Sequence, residues 1–155
     1  MEYKIETKEN KFSKDIPSIE DEESVIEAMV AFNQQIDDNN LLNQVVSDIA
    51  ICTTHLTDLV MNNPLYTQTN LVDHLFEIVL DDNLPSNIRA QAIYAISPFI
   101  EFFNEDQINS LTDRPFLLSV FNLYLFYLEK NDIHMNRILF FLSNLVSSTI
   151  QARNE

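Results

Sequence analysis

Glycine is missing from all 155 residues of this chain. A backbone without it cannot build the phosphate-cradling loops of nucleotide-binding folds, where a Cβ obstructs close approach to the anion. It also lacks the Gly-x-Ser-x-Gly elbow that presents a nucleophilic serine. Turns must come from Asn, Asp and Pro, and Asp37-Asp38-Asn39 and Asp81-Asp82-Asn83 read as such turns, because these side chains tolerate left-handed geometry. That punctuation suits helices joined by short loops better than hairpins. Tryptophan is absent too. The single cysteine, Cys52, cannot form an internal disulfide and the N-terminus has no secretory pattern, so the expected location is cytoplasmic or nuclear. Basic residues are scarce, nine against 24 acids, for a net charge of −15. Such a field repels phosphate backbones and anionic membranes and steers basic peptides or basic protein surfaces inward, so the expected partner is a protein, not nucleic acid or a membrane. Long hydrophobic runs are also missing: the most apolar stretch, Phe116 to Leu128, has 13 residues, too few to span a bilayer.

What is present is 46% hydrophobic residues, enough for one core, with apolar positions recurring at helical spacing from Ser24 onward. The first 23 residues, with mixed charges and Pro17, read as a mobile or extended acidic lead-in carrying Phe12, Ile16 and Ile19 as its apolar points. The folded domain is expected over residues 24–151, with 152–155 as a tail. Helices are predicted near Ser24–Ile36, Leu41–Met61, Asn70–Leu80, Ser86–Phe103, Glu105–Leu111, Arg114–Lys130 and Asp132–Gln151. Pro98 lacks an N–H for the carbonyl of Tyr94, which predicts a bend in the fourth of these. In the same helix Ala92 and Ala95 put small side chains on the packing face.

The chain resembles itself at offsets of 43 to 46 residues. A shift of 44 lays Ile36–Asn39 on Leu80–Asn83, one of 46 lays Ala95–Phe99 on Phe141–Leu145, and one of 43 lays Cys52 and Leu56 on Ala95 and Phe99. These offsets fall in the period of about 40 to 47 residues that belongs to stacked helical repeats. The segment "NLVDHLFEIVLDDNLPSNIRAQAIYAISPFIEFF" resembles the second and third helices of an armadillo repeat, and "FLLSVFNLYLFYLEKNDIHMNRILFFLSNLVSS" looks like the following unit. Thr112-Asp113-Arg114-Pro115 stand where that family places a glycine between its first two helices. The resemblance implies an all-α, right-handed superhelical stack, an α-solenoid of about three armadillo-like or HEAT-like units. It implies a non-enzymatic scaffold or adaptor that binds a protein or extended peptide.

Within the armadillo family, the proteins that carry nuclear-import cargo line a groove with Trp and, four residues later, Asn on each third helix. The matching positions here are Phe140 and Asn144, Tyr94 and Pro98, and Ile51 and His55, of which Asn144 alone keeps the amide. With Arg89 and Arg137, the expected partner-binding set is Ile51, His55, Arg89, Tyr94, Arg137, Phe140 and Asn144. An importin-alpha-like adaptor for basic peptides is the alternative reading, and a helical-bundle enzyme or metal protein is the second. For the latter, Asp48, Cys52 and His55 share one helix face but fall short of a tetrahedral shell. The acidic pairs Asp37-Asp38, Asp81-Asp82 and Glu105-Asp106 sit where they cap or turn helices. Neither enzymatic activity nor a metal or cofactor is therefore expected. Finally, the last two helices carry more apolar residues than one buried face requires, which predicts that this end meets further repeats, a partner chain or a second copy.

Overall fold

Amphipathic stripes of this kind bury themselves by pairing, and the computed structural model, which describes residues 22–154 with side chains through Ile150, contains helices and no strand among the described residues. Residues 1–21 of the lead-in, with Phe12, Ile16 and Ile19, lie outside the described residues, and its last two, Glu22 and Glu23, belong to the first helix. The helices are α1 (Glu22–Phe32), α2 (Asn39–His55), α3 (Thr57–Asn62), α4 (Pro64–Gln68), α5 (Leu71–Leu80), α6 (Ser86–Ile96), α7 (Glu105–Thr112), α8 (Arg114–Leu128) and α9 (Ile133–Asn154). A 3₁₀ segment, Ser97–Phe102, continues α6.

The ends of these helices are set by the residues that replace glycine. Asp38 caps α2 by accepting from the backbone N–H groups of Asn40 and Leu41 at 2.8 and 3.0 Å. Asn104 and Gln107 form a reciprocal capping box at the start of α7. Left-handed backbone falls at Asn70 and Asn131, with φ of 48° and 49°, and not in the two acidic turns expected to hold it. Those turns work through side-chain acceptance instead, as Asp38 does and as Asp81 does for the N–H of Asn83 at 2.9 Å.

Two predicted helices are subdivided. The run from Leu41 to Met61 breaks at Leu56, whose φ and ψ of −132° and 40° leave the helical region. The hydroxyls of Thr53 and Thr54 both bond back to the carbonyl of Ala50, and Thr57 bonds back to that of Thr53, competing with the helix where three β-branched residues crowd it. Beyond the break, Asn63 caps the five-residue α4 with Pro64 in its first turn, so the proline opens a helix as well as ending one. At Pro98 the α-helix tightens to 3₁₀, and the N–H of Ser97 closes on the carbonyl of Tyr94.

Helix α6 is the centre of the molecule. It packs most extensively on α2, then on α5 and α9, while α1 lies on α2 and α8 lies on α9 and α5. Two layers result: α2, α6 and α9 in one, and α1, α5 and α8 in the other. Contact on several sides explains why Ala90, Ala92, Ile93, Ala95 and Ile96 are all fully buried, and small side chains there let neighbouring helices approach. Cys52, Ala95 and Phe141, which the internal offsets bring together in sequence, are likewise fully buried, each in a helix of the first layer.

Candidate functional site

Where α2 and α6 end, side chains on the α2–α6–α9 layer enclose two adjoining hollows. The first, of about 390 Å³, lies between the end of α2 and the 3₁₀ segment and is lined by His55, Thr57, Asp58, Glu101 and Phe102 among others. The second, of about 300 Å³, lies between the 3₁₀ segment and α9 and is lined by Ser97, Pro98, Phe140, Asn144, Ser147 and Ser148. Both include Thr57 and Glu101, so they run into one groove. The second hollow lies where Pro98 tightens the chain to 3₁₀, beside Asn144 of α9.

Phe140 and Asn144 of the expected binding set line the second hollow, and Tyr94 and Arg137, which line neither hollow, stack beside Phe140. The guanidinium of Arg137 lies 4.9 Å over the ring of Tyr94, and that ring lies 6.1 Å from Phe140. One turn along α9, Asn144 donates a side-chain N–H to the carbonyl of Ser97 at 3.2 Å. His55 is exposed and reaches the same groove through the first hollow. Ile51 is half-buried against the core. Arg89 lies in the first turn of α6, where its Nε donates to the carbonyl of Val79 at 2.9 Å and its Nη2 is 3.3 Å from the Asp82 carboxylate. It pins the α5–α6 turn and lines neither hollow.

Sequence reasoning missed the acids of the groove, Asp58 and Glu101. Both follow a helix break, at Leu56 and Pro98, and both line the first hollow. Pro98 was the available signal for Glu101; nothing comparable marked Asp58.

Asp48, Cys52 and His55 do not form a ligand set. Asp48 and Cys52 are fully buried, Asp48 accepts from the Gln44 amide at 3.3 Å, and His55 is exposed. Among the described residues no three His, Cys, Asp or Glu side chains are grouped to hold a metal ion. His134, near the start of α9, is half-buried with its ring 4.9 Å from Tyr127. Burial, and then the charge of Arg137, push its pKa below the usual histidine value against a weaker opposing pull from Asp132. Burial raises the phenol of Tyr127, and Asp132 adds to the shift.

No protein-family model, curated protein or solved structure matches the chain. Among the described residues, no helix is long and apolar enough to cross a membrane.

Proposed function

We propose that the chain is a protein-binding scaffold built as a right-handed superhelical stack of three armadillo-like or HEAT-like helix pairs, α1/α2, α5/α6 and α8/α9. The order of contacts supports the stack: each second helix packs on its own first helix and on the second helix of the next pair. The groove at the edge of the α2–α6–α9 layer receives an extended partner segment. The observation that carries this reading is the joined lining from His55 through Glu101 to Asn144, with Glu101 common to both hollows, Asp58 in the first and Phe140 in the second. Acidic walls favour Lys or Arg on the segment, and the exposed face of Phe140 receives an apolar neighbour. In the import-adaptor reading Asn144 fixes a peptide backbone. An Asn144 N–H already engaged with Ser97 favours a general scaffold over that specialised role.

The test is an array of extended peptides graded in lysine and arginine content, probed with the wild-type chain and with the Asp58→Asn, Glu101→Gln double variant. The signal should rise with basic content, fall with added salt and drop several-fold in the variant. Uniform binding across the array by both proteins would sink the acidic-groove reading.

A further inference from the structure

The α8/α9 pair closes one end of the molecule and leaves its outer side open. Leu118, Phe121 and Leu125 form a stripe on α8 opposite its buried residues Phe116, Val120, Leu123 and Tyr127. Leu139, Val146 and Ile150 form a matching stripe on α9. All six are between 43% and 58% exposed. Their exposed apolar surfaces, on two helices that pack on each other, amount to on the order of 600 Å², comparable with the largest patch on an ordinary monomer. With a polar rim this approaches the roughly 800 Å² that each partner contributes to a stable interface.

Charge identifies what covers it. Residues 22–113 hold fifteen acids and one base, Arg89, whereas residues 114–155 hold four bases (Arg114, Lys130, Arg137 and Arg153) and three acids (Glu129, Asp132 and Glu155). The apolar end is therefore the nearly neutral end of a strongly acidic chain. Two copies repel through most of their surfaces, and least when these ends face one another with the acidic bodies pointing apart. Head-to-tail stacking is disfavoured on both counts, because α1 and α2 present no large exposed apolar side chain among the described residues and carry several of the acids. A patch that, among the described residues, finds its largest apolar match in itself favours an isologous contact.

We propose that the outer side of α8 and α9 is the interface of a twofold homodimer, in which α8 and α9 pack on the same helices of a second copy. The dimer does not depend on the groove: it uses a different side of α9, and salt acts on it in the opposite sense. Added salt screens the repulsion between acidic bodies and tightens the dimer, while it weakens capture of a basic segment.

Sedimentation of the full chain across a range of concentrations and salt tests the proposal, with circular dichroism to confirm that each variant keeps its helix content. The expected result is twice the mass of one chain, more persistent on dilution at higher salt. Leu125→Glu and Leu139→Glu should each abolish the doubled mass, and Leu80→Glu, at an exposed apolar position outside both stripes, should retain it. A single-chain mass at all concentrations, a dimer that survives both α8/α9 variants, or open-ended growth with concentration overturns the proposal. A single-chain mass beside intact peptide binding removes the dimer alone.

Discussion

Asn144 on α9 donates its side-chain N–H to the backbone carbonyl of Ser97 across 47 residues of sequence, at 3.2 Å. Ser97 is the point where Pro98 converts the α-helix to 3₁₀, so the amide ties α9 to the place where the backbone ladder changes. Asn144→Ala should lower stability by about 1 kcal/mol, the net worth of one neutral hydrogen bond. Urea unfolding followed by far-ultraviolet dichroism would measure it, and an unchanged midpoint would show that Ser97 finds another donor.

Ala95 is fully buried in the central helix. Ala95→Leu adds three carbons where helices approach closely and should cost about 2 kcal/mol through overpacking, whereas the same change at an exposed helical position costs nothing comparable. A thermal melt that is unaltered by the substitution would mean that α6 is more loosely held than its burial implies.

Arg89 was expected in the binding groove and is found bridging Val79 and Asp82. Arg89→Ala should destabilise the fold by about 2 kcal/mol, chiefly through the charged donor lost to the Val79 carbonyl, since the exposed Asp82 carboxylate contributes little. Peptide affinity, measured by fluorescence anisotropy well below the variant's melting temperature, should be unchanged; a loss of affinity would return Arg89 to the binding set.

His134 gives the stability a dependence on pH. Its pKa in the folded chain lies below the unfolded value of about 6.5, so the unfolded chain binds the proton more tightly. Its contribution is complete above that unfolded value and is lost as pH falls through the lower folded one. His134→Gln should flatten the slope of stability against pH between about 7 and 5, a window set by the ordinary histidine range. Parallel curves for the two proteins would show that the ring titrates normally.

The helices were legible because their apolar stripes repeat every three or four residues, and Pro98 announced its own distortion. The break at Leu56 was not. It depends on the hydroxyls of Thr53, Thr54 and Thr57 turning back on the helix, and threonine does this only in some backbone settings. Pro64 ends the helix before it, and Asn63 beside it makes it the start of the next as well. The groove was half visible. Phe140 and Asn144 line it, and Tyr94 and Arg137 stack beside Phe140 without lining it, because they share one helix layer, which spacing reveals. Arg89 went elsewhere because a long side chain in the first turn of α6 can reach back to the end of α5, and no periodicity says which way it will reach. Asp58 and Glu101, both in the groove lining, lie just after the breaks at Leu56 and Pro98, where helical spacing no longer tells which way a side chain faces.

With α6 enclosed by α2, α5 and α9, neither terminal pair can peel away without wetting a wall of alanine and isoleucine that has no other cover. Damage at either tip is thus transmitted to the middle, and the polypeptide should come apart as one unit instead of fraying pair by pair. The amides of α6 should be the last to exchange with deuterium, and severing the chain between α7 and α8 should leave a remnant that no longer melts cooperatively.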